Sequence, residues 1–345
     1  MHDVVDLRSD TLTTPTPAMR AAMAAAEVGD DVWEEDPTAK LLEARAAQLF
    51  GKEAGLFVAS GTMGNQVAVL THTRPGQEVI ADADAHIMSF EVAGIARLSL
   101  CQTRGLATER GLPTPDQVRG AIRAKNIHIP VTGLICLENT HNRHSGVAFG
   151  PEEIAAVAAV GREHGIPVHL DGARIFNACV AWQREPREYG AAVDSVQFCL
   201  SKGLAAPVGS LITGSETFIR EARRTRKLLG GGMRQVGVLA AAGLVALDTM
   251  VDRLAEDHAN ARRLAEAVAT LPGIRIDLAR VQTNIVIFHV DRPGGVAELV
   301  SGCVARKVKI HAIGPTSVRC VTHKDVDAED IERAIAAFRE ITAGW

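Results

Sequence analysis

The stretch His169-Leu170-Asp171-Gly172-Ala173-Arg174 closes a short apolar run that starts at Ile166. Read as a strand, the run puts Ile166, Val168 and Leu170 on one face, and His169 and Asp171 on the other. A carboxylate at the carboxyl end of a buried parallel strand lies where open α/β sheets place their ligands. Burying that charge alone would be costly, so a cation should meet it. Two cations fit equally well: Arg174 in a purely structural pair, or the protonated ring nitrogen of a heterocyclic cofactor.

Outward from this strand, short apolar runs alternate with longer amphipathic ones. The pattern predicts strands over 55–59, 78–81, 133–138, 166–171, 193–200 and 209–213, and helices over 38–50, 63–73, 114–124, 151–164 and 215–228. Pro151-Glu152-Glu153 opens its helix with proline in the first turn and acids at the positive end of the dipole. Strands alternating with helices imply crossover units and a mostly parallel sheet covered on both faces. After Gly230-Gly231-Gly232 the pattern changes. Residues 233–271 read as one long helix, or two with a bend, followed by strands over 283–290, 308–311 and 317–322 and helices over 294–306 and 326–341. The expected organisation is α/β: a large domain over 1–245, including the N-terminal segment, and a small α+β domain over 246–345.

The 345 residues, 47% hydrophobic and 23% charged with a formal charge of −4, describe an ordinary globular chain rather than a disordered or fibrous one. No block of like charge suggests nucleic acid or a membrane surface, and no apolar run reaches the roughly 18 residues of a membrane helix. The acidic N-terminus does not read as a signal peptide. The six cysteines form no Cys-x-x-Cys pair and sit mostly among apolar neighbours, so a reducing cytoplasm is the expected location.

Two further segments carry chemistry. Lys202, in Leu200-Ser201-Lys202-Gly203, follows a strand-like run and stands alone among apolar neighbours. A lysine against an apolar wall has a lowered amine pKa and suits Schiff-base chemistry; a loop lysine reaching solvent is the plainer alternative. In Val58-Ala59-Ser60-Gly61-Thr62-Met63-Gly64-Asn65 a strand gives way to a helix with free N–H groups and hydroxyls, which makes an anion site, or simply a helix cap. A phosphate cradle, an acid for a ring nitrogen and an isolated lysine are together the parts of a pyridoxal-phosphate site. His86, in Ala83-Asp84-Ala85-His86, adds a flat ring that could stack on such a cofactor. A metal-dependent hydrolase using His141, His144, His169 and Asp171 is a rival, but His-x-x-His here lacks the glutamate of a zinc helix. No metal is therefore expected.

These segments, with Asp6-Leu7-Arg8-Ser9-Asp10-Thr11, Asp36-Pro37-Thr38 and Leu137-Glu138-Asn139-Thr140-His141-Asn142, resemble in sequence and order the low-specificity L-threonine aldolases. These are β-eliminating lyases among the fold-type I pyridoxal-phosphate enzymes. The resemblance runs from about Asp6 to His323. It implies retro-aldol cleavage of L-threonine, L-allo-threonine or related β-hydroxy-α-amino acids to glycine and an aldehyde. It also implies a homotetramer with active sites shared between subunits.

By the same resemblance Lys202 would carry pyridoxal 5′-phosphate as a Schiff base, and Asp171 would keep the ring nitrogen protonated. Arg174 would bind the ring oxygen, Gly61 and Thr62 the phosphate, and His86 would stack on the ring. Ser9 and Arg319 would grip the substrate carboxylate, with His128 near the substrate hydroxyl. Arg234 and Lys227 match basic residues near the active site of the same or a neighbouring subunit. His86, His128 or a water they hold would be the base. Two positions depart from the family pattern: Trp33-Glu34 where tyrosine and glycine are usual, and Phe90 where tyrosine is common. Both lie near the substrate side in relatives, so the accepted aldehyde should differ. Another pyridoxal-phosphate lyase or racemase reaction is the alternative.

Overall fold

The computed structural model describes residues 3–345. After a short strand, β1 (Val5–Asp6), the chain alternates helices with β2 (Ala54–Val58), β3 (Glu78–Asp82), β4 (Gln102–Leu106), β5 (Thr132–Glu138), β6 (Val168–Asp171), β7 (Ser195–Cys199) and β8 (Ser210–Gly214). The last seven form one sheet in the order β2-β8-β7-β6-β5-β3-β4. Neighbours from β7 through β6, β5 and β3 to β4 pair in parallel, and β8 runs antiparallel to both β7 and β2. The sheet is therefore mostly parallel, as its crossover pattern requires.

Alternation along each strand feeds two cores. Phe57, Ile80, Ile135, Leu137, Leu170, Phe198 and Leu211 point to one face, where the helices Pro37–Phe50, Pro151–His164, Ile175–Trp182 and Gly237–Thr249 cover them. Their neighbours Leu56, Val58 and Ile212, and Val79, Ala81, Leu134 and Cys136, pack on the other face, under the helices Gly61–His72 and Glu216–Leu228. A sheet buried on both sides explains why its strands read as continuous apolar runs. Its parallel strands end together at one edge, which collects Glu138, Asp171 and Cys199.

The C-terminal part adds β9 (Ile274–Arg275), β10 (Ile285–Val290), β11 (Val308–Lys309), β12 (His311–Ala312) and β13 (Ser317–Val321). Four of them make an antiparallel sheet, β12-β13-β10-β9, backed by the helices Leu254–Val268, Gly295–Ala305 and Ala328–Thr342. β1 pairs in parallel with β11, and Val5 and Leu7 pack in this second core.

Two local readings change and an open one is decided. Of the alternatives over 233–271, two helices with a bend between them form, Gly237–Thr249 and Leu254–Val268. The chain turns between Met250 and Arg253 so that Met250 and Leu254 both bury, and no glycine or proline marks the turn. The single strand over 308–311 is split, because buried Ile310 separates β11, which pairs with β1, from β12, which pairs with β13. The edge strand β4 was not expected, since its polar, half-exposed residues carry no apolar signal. Among the described residues no helix is long and apolar enough to cross a membrane.

Candidate active site

Asp171 ends β6 almost fully buried, at 3% exposure. Its Oδ2 accepts from Asn65 Nδ2 (2.7 Å), and its Oδ1 from Gln197 Nε2 (3.0 Å) and the Ala173 N–H (3.0 Å). Three donors solvate the carboxylate, yet among the described residues no side-chain cation pairs with it. The purely structural pairing with Arg174 is not what forms. Arg174 instead clamps buried Asp10, with Nε to Oδ2 and Nη2 to Oδ1 both at 2.7 Å. Among the described residues its Nη1 has no hydrogen-bond partner. Burial would raise Asp10, but Arg174, then Lys202 and Asn284, outweigh it and hold the carboxyl well below the usual carboxylate range.

Asn65 sits on the first turns of the Gly61–His72 helix, where Ser60 Oγ caps the Met63 N–H (3.1 Å). That helix lies tight on β7. A Cβ at Gly61 would come within 2.7 Å of Cys199 Sγ, and one at Gly64 within 2.5 Å of Gln197 Cγ. Small residues here let the helix start, with its Gly61 and Thr62 N–H groups, approach the sheet edge closely. Asn65 also donates to Glu91 Oε1 (2.7 Å), which faces His86 Nδ1 at 2.9 Å. Burial lowers the His86 pKa, but Glu91, Asp171 and Glu138 together carry it above its ordinary value. The His86 N–H is fixed by Glu138 Oε2 (2.6 Å).

Lys202 follows β7 in a loop tied to the N-terminal segment, where Thr13 Oγ1 donates to the Lys202 carbonyl (2.9 Å). Arg319, on β13, donates from Nη1 to Asn142 Oδ1 (2.8 Å), while its Nε is buried without a partner among the described residues. Burial and repulsion from Arg174 pull its pKa down to about 10, so it stays charged at neutral pH. Among the described residues neither Lys202 nor Arg319 has a carboxylate partner. Ser9 caps the turn that carries Asp10, accepting from the Thr11 N–H (3.2 Å).

Other expected residues are placed differently. Phe90 is half-exposed with its ring 5.7 Å from that of His86, and the Arg143 guanidinium lies 5.8 Å over it. Trp33, 73% exposed, ends a turn at Asp30–Trp33 whose Asp30 Oδ2 accepts from Arg234 (3.0 Å). Lys227 is exposed beside the same turn, within reach of Gly232 and Val32. His128 stands exposed in the loop before β5, and no hydrogen bond of its ring is found among the described residues. The metal set weighed from sequence is divided: His141 and His144 meet Asp82, whereas Asp171 meets His86 and Glu91.

Asp10, Asn65, Glu91, Asn142 and Gln197 were not singled out from sequence as site residues. The available signal was polarity in the wrong place: Gln197 and Asn65 interrupt an apolar strand and an apolar helix, and both are buried.

Behind the site runs a buried chain of polar groups. His169 Nε2 meets Asn65 Oδ1 (3.2 Å), and Ser195 Oγ meets His169 Nδ1 (2.9 Å) and His72 Nε2 (2.8 Å). Burial, joined by repulsion from His72, pushes His169 down to about 3, and burial pushes His72 down to about 4. Both rings stay neutral in the folded chain, but in the unfolded chain they take up protons near pH 6.5. Their effect on stability is absent above about pH 7 and becomes a loss as pH falls through about 6 toward 4. His86 and His141, both shifted upward, act in the opposite sense. His72→Gln keeps a donor toward Ser195 and cannot titrate. It should shrink the stability lost between pH 7.5 and pH 5 by about 2 kcal/mol, read by urea unfolding at both pH values. Parallel losses in the two proteins would count against it.

The β-eliminating lyase family profile matches residues 6–293. A probable low-specificity L-threonine aldolase 2 of Arabidopsis thaliana is 44% identical over 343 residues, covering 98% of this chain and 97% of that one. A low specificity L-threonine aldolase of Escherichia coli K12 is 43% identical over 342 residues, covering 99% of this chain and 100% of that one. Among solved structures, a threonine aldolase of Leishmania major superposes with a TM-score of 0.82 at 19% identity, covering 98% of this chain and 99% of that one. Over almost its entire length the chain belongs to the low-specificity L-threonine aldolases of the β-eliminating lyase family.

Proposed function

We propose that the protein is a pyridoxal-phosphate-dependent carbon–carbon lyase that cleaves L-threonine, L-allo-threonine or a bulkier β-hydroxy-α-amino acid to glycine and an aldehyde. The observation that carries this reading is the set of unmatched charges around one sheet edge. Among the described residues Asp171 is buried without a cation, while Lys202 and Arg319 lack carboxylates. A phosphorylated pyridine aldehyde and an amino acid supply what is missing: a protonated ring nitrogen for Asp171, a carbonyl for Lys202 and a carboxylate for Arg319. The start of the Gly61–His72 helix, with Gly61 and Thr62, would take the phosphate, Arg174 Nη1 the ring oxygen, and His86 a ring face. Bound there, the cofactor would supply an electron sink for bond cleavage at the substrate α-carbon.

The chain's own groups do the rest. Arg319 holds the substrate carboxylate with the geometric specificity of a guanidinium, with Ser9 beside it, and so sets which bond is aligned for cleavage. Glu91 occupies His86 Nδ1, which leaves Nε2 to exchange the β-hydroxyl proton; His128 stands exposed in the single chain and is the second candidate. Phe90 beside His86 presents a ring without a hydroxyl to the leaving aldehyde. Residues 1–245 would hold the cofactor, and 246–345 would supply Arg319. Trp33, Lys227 and Arg234 cluster on exposed surface, consistent with a homotetramer in which they complete a neighbour's site. A cytoplasmic location fits this reading.

Purified protein supplied with pyridoxal phosphate should release glycine and the matching aldehyde from L-threonine, L-allo-threonine and L-phenylserine, and Lys202→Ala should not. Cofactor bound to Lys202 with ammonia and a keto acid as products, and no aldehyde, would overturn the reaction while keeping the cofactor.

A further inference from the structure

Asp82 ends β3 with its carboxylate buried. Its Oδ2 accepts from Thr108 Oγ1 (2.7 Å), and its Oδ1 accepts the Asp84 N–H (2.9 Å). That same Oδ1 lies 3.1 Å from His141 Nε2 and 3.9 Å from His144 Nε2. His141 is fully buried, yet among the described residues neither of its ring nitrogens makes a hydrogen bond; His144 Nε2 is likewise buried without one. Buried polar atoms left unanswered cost about 1–3 kcal/mol each, so native chains rarely leave them so. A plain ion pair between Asp82 and His141 does not resolve this. The contact is close but not aligned as a hydrogen bond, and it leaves His141 Nδ1 and His144 Nε2 unanswered.

We propose that Asp82, His141 and His144 bind a divalent transition-metal ion of the zinc or cobalt class. Bonds of about 2.0–2.2 Å at tetrahedral angles hold donor atoms roughly 3.3–3.6 Å apart, and the separations of 3.1 and 3.9 Å bracket that spacing. All three donor atoms lie within 4.8 Å of one another. Two imidazoles and one carboxylate suit Zn²⁺ or Co²⁺, whereas Ca²⁺ and Mg²⁺ prefer oxygen alone. Glu138 Oε2, 3.8 Å from His141 Nε2, is placed to join them or to hold a bound water. The ligands come from β3 and from the loop after β5, so His141 and His144 read from sequence lack their nearest acid, Asp82.

The ion would brace the active site without entering it. Glu138 Oε2 also accepts the His86 N–H, and its Oε1 accepts the Asn142 N–H (2.9 Å). Asn142 in turn accepts from Arg319. An ion on His141 therefore fixes the segment that orients both His86 and Arg319.

The test is titration of the full chain with Co²⁺, after removal of unbound pyridoxal phosphate, which itself chelates divalent ions. A single Co²⁺ per chain should bind with visible ligand-field absorption and be displaced by Zn²⁺. Uptake should weaken toward pH 5 as the imidazoles protonate. Asp82→Asn and His144→Ala should each weaken binding at least about 10- to 100-fold, the range already lost when only an outer partner of a ligand is removed. Should Asp82→Asn fail to fold, His144→Ala decides alone, since His144 sits at the partly exposed rim of the cluster. No uptake at millimolar Co²⁺ overturns the proposal, and so does uptake that the variants leave unchanged.

Discussion

Asp171→Ala should lower glycine formation from a β-hydroxy-α-amino acid by at least about 10³-fold, the upper range for deleting one preorganised electrostatic contact in an active site. The carboxylate is buried on β6 and held by Asn65, Gln197 and the Ala173 N–H, with no side-chain cation paired with it among the described residues. Its negative charge is thus free to keep a bound pyridine nitrogen protonated, and without that charge the ring no longer draws electrons from the α-carbon. The fold should survive. Asn65 retains Glu91 as a partner for one N–H, while its other N–H, Gln197 Nε2 and the Ala173 N–H lose their acceptor, at about 1–3 kcal/mol for each that stays buried and unanswered. Lys202 is untouched, so the absorbance of lysine-bound cofactor should persist while turnover disappears. Asp171→Asn, which keeps the volume and removes the charge, should fall nearly as far. Near-normal turnover in either variant, with the cofactor bound, would refute the assignment of Asp171.

The course of the central sheet was legible because its strands are buried on both faces and separated by capped helices. Pro151-Glu152-Glu153 opens a helix at the very residue where the structure begins one, and Gly165 (φ 65°) closes it. The face shared by His169 and Asp171 followed from strand alternation, and both side chains reach the same residue, Asn65. What was not legible depends on partners distant in sequence. Nothing near Arg174 announces that its partner is Asp10 rather than Asp171, because Asp10 lies 164 residues away on an N-terminal segment whose β1 pairs with β11 of the C-terminal part. The sequence allows a bend within 233–271 but does not place it, for a related reason: the break serves the packing of Met250 and Leu254, and no glycine or proline marks it. Asp82, His141 and His144 converge only because β3 and β5 are neighbours in the sheet.

The other large effect belongs to Asp10. Asp10→Ala should destabilise the chain by about 3–5 kcal/mol, the usual cost of leaving one member of a buried ion pair without its partner. Arg174 is buried, both its Nε and Nη2 bonds end on Asp10, and Asn284 Nδ2 would lose an acceptor as well (3.2 Å). The Asp10 pKa is depressed in the folded chain, so the pair contributes in full above the unfolded carboxylate's pKa of about 4 and is lost as pH falls below it. Stability alone does not say why the pair is there, since apolar replacement of both members of such a pair is often neutral. The double variant Asp10→Leu, Arg174→Met separates the two roles. If the pair only holds the N-terminal segment to the sheet edge, the double variant should recover both most of the stability and the turnover. If Arg174 Nη1 also reaches the cofactor's ring oxygen, as proposed, urea unfolding should show recovery of stability while glycine formation stays low and the cofactor's absorbance shifts. Recovery of both would remove Arg174 from the site and leave it a purely structural residue.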